Sequence, residues 1–154
     1  MKTIKTWSLA LGLLFLTSSA TIAKEVKNIK IKLQAEVNVD LAQFGKYLKD
    51  GNPHVAEGLY RTEDSRYLIA IIKNSEKTHD FIGVVVSAEN PFWHRGDIKF
   101  NFVIDENNNL NGLYYNCKGD SFPVNFKIAA NGIESSLIEK VEMEELRFLG
   151  LALL

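Results

Sequence analysis

An apolar residue followed by a polar one, repeated over long stretches, dominates this chain. Ile98, Phe100, Phe102 and Ile104 are apolar, while Asp97, Lys99, Asn101 and Asp105 around them are polar; only Val103 departs from the order. Phe122, Val124, Phe126 and Ile128 repeat the pattern, interleaved with Pro123, Asn125 and Lys127. Successive side chains of a strand leave on opposite faces, so a period of two builds a strand with one dry and one wet side. Strands are expected near 56–62, 67–73, 80–88, 97–105, 110–117 and 121–129, with a weaker one near 132–140. The separators are turn-rich: Glu63-Asp64-Ser65, Asn74-Ser75-Glu76, residues 106–109, Lys118-Gly119-Asp120 and Asn131-Gly132. Asn131-Gly132 is the strongest hairpin signal, because both residues tolerate positive φ. Links this short join antiparallel neighbours, since a parallel crossover takes a dozen residues or more. The fold class that follows is mainly all-β: an antiparallel up-and-down meander that must hide its edges in a barrel or a sandwich.

The segments before the meander read differently. Lys2 and Lys5, the apolar stretch from Trp7 to Leu16 and the small residues up to Ala23 read as a signal peptide over residues 1–23. That apolar core is too short for a bilayer, which takes about 20 residues, so no membrane span is expected after signal removal. The expected localisation is secreted or periplasmic. Residues 24–55 form an N-terminal segment, with a strand near 29–37 and a short helix at 40–49. Val39, Leu41, Phe44 and Leu48 fall at near-helical spacing, Asn38 or Asp40 can cap the start, and Gly51 stops it. Residues 56–140 make the barrel-like domain, and 141–154 a tail ending in the apolar run 148–154. Strand 67–73 is apolar on both faces until its end, and 81–86 nearly so. Something must cover the outer face there, and the 40–49 helix is the obvious cover; an exposed docking patch is the other possibility.

Removing 23 of the 154 residues leaves 131, enough for one domain with a core. Sixteen basic residues then face 19 acidic ones, a net charge of −3 that argues against a nucleic-acid partner. Cys117 is the only cysteine, so no internal disulfide can form, and it continues the alternation of Leu113 and Tyr115 toward a buried thiol. His54, His79 and His94 are expected in loops, solvated, and none sits at metal-ligand spacing. No nucleophile elbow or phosphate loop appears either, so a non-enzymatic protein without a cofactor is expected. Arg95-Gly96-Asp97 is expected to be a turn into the next strand. Gly58-Leu59-Tyr60 and Gly112-Leu113-Tyr114-Tyr115 repeat a Gly-apolar-aromatic element, where glycine permits close backbone approach and the aromatic fills the space beside it. Trp93, in the longest link of the β region, either plugs a barrel end or anchors a ligand; a plug is the better expectation.

The Gly58-Leu59-Tyr60 strand, the meander and the length resemble the lipocalin and fatty-acid-binding (calycin-like) barrels. Glu57-Gly58-Leu59-Tyr60, residues 67–73 and residues 93–99 resemble an uncharacterised secreted bacterial β-domain sometimes found ahead of trypsin-like protease domains. Tyr60 stands where lipocalins carry tryptophan, and Arg147 is the stand-in for their late arginine. The resemblance implies a lipocalin-like barrel and an exported binding domain for a small apolar or amphipathic ligand. Phe100, Phe102, Tyr115, Phe122 and Phe126 would line it, with Tyr60, Trp93 and Arg95 near a rim. The alternative is an interaction or accessory module for another exported protein such as a protease, using an outer face around Ile69, Ile71 and the Trp93 loop. A lined cavity favours the first reading, and a filled barrel with an exposed apolar stripe favours the second.

Overall fold

The computed structural model describes residues 37–64, 66–74, 79–142 and 145. The expected signal peptide, nearly all of the expected strand at 29–37 and most of the tail lie outside the described residues. Helix α1 (Leu41–Asp50) precedes eight strands: β1 (Gly58–Thr62), β2 (Tyr67–Lys73), β3 (Phe81–Ala88), β4 (Ile98–Ile104), β5 (Asn109–Tyr115), β6 (Ser121–Ala129), β7 (Gly132–Glu134) and β8 (Ile138–Lys140). The expected weak strand at 132–140 is thus two short ones split by a turn. All neighbours are antiparallel, in the order β7-β6-β5-β4-β3-β2-β1-β8. The sheet curls into a nearly closed up-and-down barrel whose seam runs between β7 and β8. Across that seam the Tyr60 hydroxyl of β1 accepts the Ile133 N–H of β7 at 3.2 Å.

The alternating apolar residues fill the interior. Tyr60, Ile69, Ile71, Phe81, Phe100, Phe102, Leu110 and Phe126 form one buried cluster. The Phe100 and Phe102 rings stack 5.4 Å apart, and Phe126 lies 5.8 and 5.4 Å from them. Ile69 and Ile71 therefore point inward, and the outer docking face expected around them does not exist. Gly112 sits where a Cβ would come within 2.0 Å of the Asn101 carbonyl oxygen and 2.6 Å of the Phe102 ring, so β4 and β5 approach closely only because that residue is glycine.

The outer face of β1, β2 and β3 carries the second apolar set, Leu59, Leu68, Ala70, Ile82 and Val84, and α1 covers it with Phe44, Leu41 and Leu48. Burying a ring such as Phe44 stabilises by about 2 kcal/mol. Asp40 caps the helix, its Oδ1 accepting the N–H groups of Ala42 and Gln43 at 2.9 and 3.1 Å, and the Gly51 N–H closes the end on the Tyr47 carbonyl. Glu57, buried beneath, accepts from the Tyr47 hydroxyl, the His54 N–H and the Lys73 N–H at 2.9, 2.8 and 3.0 Å. One carboxylate thus ties the helix to the start of the barrel. His54 and His79 are not solvated as expected. The His54 ring packs 5.0 Å from Phe81 and its Nδ1 accepts the Ala56 N–H, while His79 is buried. Cys117 is exposed rather than buried, because β5 ends at Tyr115 and the cysteine falls in the following turn.

Candidate functional site

Two register slips shape one end of the barrel. Gly83 pairs with Phe100 but Val84 pairs with Ile98, which leaves Lys99 unopposed; Ile69 pairs with Val85 but Leu68 with Ser87, which leaves Val86 unopposed. Such bulges bend a strand and re-aim a side chain. Lys99 is re-aimed among aromatic rings. Its Nζ lies 3.9 Å from the Trp93 ring, 4.0 Å from the Tyr67 ring and 4.8 Å from the Tyr114 ring, and the residue is only 1 % exposed. Among the described residues, no hydrogen-bond partner meets that nitrogen. The ring faces attract the ammonium, yet burial dominates and brings the Lys99 pKa down to about 8, with Asp64 and Cys117 pulling the other way. Asp64 itself is engaged elsewhere, accepting from the Thr62 hydroxyl at 2.6 Å and the Arg66 N–H at 3.2 Å.

The link between β3 and β4 holds the cage. Trp93 is buried and meets Tyr67 edge-to-face at 6.4 Å. Asn90 donates to the Tyr67 hydroxyl and accepts the Phe92 N–H. Gly96, at φ 97°, donates to the Val85 carbonyl, and the His94 N–H donates to Asp97 Oδ2, which completes the expected turn into β4. Arg95 donates from Nη2 to the Val39 carbonyl at 2.8 Å, fastening the segment before α1 to this link.

In an up-and-down barrel the connections β1–β2, β3–β4, β5–β6 and β7–β8 share one end, and three exposed apolar side chains stand among the charged and polar residues of that rim. Phe92, Phe122 and Leu137 are 69 %, 47 % and 44 % exposed. Among the described residues, Tyr47 on α1 is the one other large hydrophobic so exposed. Phe122 pairs with Tyr114 across β5 and β6, its ring 6.2 Å away, so the rim reaches down to the wall of the cage. An open groove of about 420 Å³, lined by Arg61, Glu63, Ile133, Glu134, Glu139 and Lys140 among others, runs along the seam.

The residues expected to bind a ligand are divided by this geometry. Trp93 plugs the end as expected and forms part of the cage. Phe100 and Phe102 fill the bore instead of lining a space. Tyr60 is fully buried rather than at a rim: its hydroxyl donates to the Ala56 carbonyl, and burial pushes its pKa up to about 12. Tyr115 packs with Trp93 and Val85 in one buried cluster, and its hydroxyl accepts from Asn101 Nδ2 at 2.9 Å. Arg95 belongs to the strap on Val39. Lys99, Tyr67 and Tyr114 escape sequence reasoning, because in an alternating strand Lys99 looks like any solvated lysine.

No protein-family model, curated protein or solved structure matches this chain. The fold defines it as an antiparallel up-and-down β-barrel with a helix on its outer wall. Among the described residues, no helix is long and apolar enough to cross a membrane.

Proposed function

We propose that this is an exported, non-enzymatic, lipocalin-like binding domain, of the secreted bacterial kind its sequence resembles. It takes a small apolar or amphipathic ligand at the Trp93 end of the barrel rather than inside it. The observation that carries the reading is the coincidence, at one end, of three exposed apolar rim residues and an aromatic cage around an unpaired buried amine. The stacked phenylalanines occupy the bore, so the mouth is the place for a ligand to exchange water for apolar contact. Aromatic side chains provide rigid apolar area there, and solvent takes the polar end of an amphipathic ligand.

Trp93 and Trp7 are the only tryptophans, so quenching of the buried Trp93 emission reports on this end. Titration with dodecanol should perturb that emission saturably. Phe92→Ser and Phe122→Ser together should weaken binding about tenfold, the value of roughly 1.4 kcal/mol of lost apolar contact. Binding that ignores both substitutions would remove the mouth from consideration. The 69 % exposure of Phe92 also favours a second reading, an accessory module that seats this rim on another exported protein. In that case dodecanol has no effect, and the same two substitutions abolish capture of that protein instead.

A further inference from the structure

We infer that Lys99 is a covalent capture site for aldehydes with apolar tails, held at the bottom of the proposed mouth. The inference rests on the reading of that end as a ligand site and adds the chemistry of the bond.

The nitrogen is buried, has no hydrogen-bond partner among the described residues, and faces three rings at 3.9, 4.0 and 4.8 Å. An ammonium kept for structure alone would be expected to have a carboxylate in contact, since burying one unpaired is costly. Asp64 acts on Lys99 only at a distance, and its oxygens are held by Thr62 and Arg66. An anionic head group is a poor match for this cage as well. Aromatic faces carry the negative part of the ring quadrupole and repel an anion brought among them. They accept a neutral carbonyl, and they accept the cation that forms from it.

Imine formation fits each of these conditions. The free-amine lone pair attacks the aldehyde carbon, and the carbonyl oxygen takes up a proton to give a carbinolamine. Loss of water then leaves a carbon–nitrogen double bond to Nζ. Nothing is oxidised or reduced, and no co-reactant is needed. Protonation of the imine restores a cation among the three rings, while the product has fewer unmatched N–H donors than the ammonium. Desolvation is a recognised way of making a lysine nucleophilic near neutral pH. At a pKa of about 8 the free-amine fraction at neutrality is about two orders of magnitude above that of an exposed lysine. The tail of the aldehyde would lie by the exposed Phe122, whose ring is 6.2 Å from that of Tyr114, and by Phe92, the neighbour of Trp93 in the chain.

The test is reductive trapping on the purified full chain. The protein is treated with hexanal and cyanoborohydride, and the alkylated lysines are located by peptide mass mapping. Lys99 should be filled before the exposed lysines, its labelling should rise between about pH 7 and pH 9, and urea should erase the preference. Lys99→Arg keeps the cation and should lose the dominant adduct. Hexanol, which cannot form an imine, is titrated in parallel against Trp93 emission. Hexanol binding with Lys99 unlabelled, or labelled no faster than the surface lysines, overturns capture and leaves the mouth reading standing. If neither hexanol binds nor Lys99 is labelled, both fall.

Discussion

Lys99 is a fully buried amine, and its titration should be visible in stability. Burial holds the Lys99 pKa near 8 in the folded chain, below its value in the unfolded one. Between these values the unfolded chain binds more protons, so stability rises with pH from about 8 toward 10. Tyr60, Tyr114 and Tyr115 act in the opposite sense: burial raises all three, so stability falls once unfolded tyrosines ionise above about pH 10. Urea denaturation from about pH 7.5 to 9.5 should therefore show a gain of about 2 kcal/mol, and Lys99→Met should flatten it. A parallel gain in the variant would mean that another group is titrating. Tyr60→Phe loses both hydroxyl bonds and should cost about 1–2 kcal/mol by the same measurement.

At the scale of elements, two contacts decide whether the strands and helix fit. Gly112→Ala forces a methyl into the Asn101 carbonyl and should destabilise by about 3 kcal/mol, with β4 and β5 losing amide protection first. Glu57→Ala leaves the Tyr47 hydroxyl and the His54 and Lys73 N–H groups without their acceptor and should cost about 2–3 kcal/mol. Unchanged melting in either variant would contradict these assignments. Elements were legible in the sequence because each is written in local terms. Period-two runs matched β4 to β6, and double-sided apolar runs β2 and β3, within a residue or two, and Asp40 and Gly51 bracketed α1 as caps should. The double-sided apolar run of β2 correctly implied a cover. Which residues of that run face inward was not legible, because Ile69 and Leu68 are equally apolar. The cage stayed hidden for a different reason. It depends on a register slip between β3 and β4, and no residue type announces where two strands fall out of step.

On the scale of the whole molecule, the two ends of the barrel are unlike. The end at the C-terminus of α1 is closed by the 51–57 link with its His54, Ala56 and Glu57 contacts, while the opposite end carries the exposed Phe92, Phe122 and Leu137. Ligand or partner contact is therefore expected at one end only. Cys117 lies in the turn after β5, at that same end. A fluorophore attached there should respond to dodecanol with the same midpoint as Trp93, whereas one placed on Asn107, at the far end, should not. Equal responses from both dyes would point to a global change rather than local binding.

The seam has a mechanical meaning of its own. Six of the eight staves are held on both flanks by ladders, but β7 and β8, three residues each, are held on only one. Such a cylinder has a preferred line of rupture. Under pulling force or mild heat it should unroll from β7 and β8 inward, and the phenol of Tyr60 would act as the clasp that must let go first.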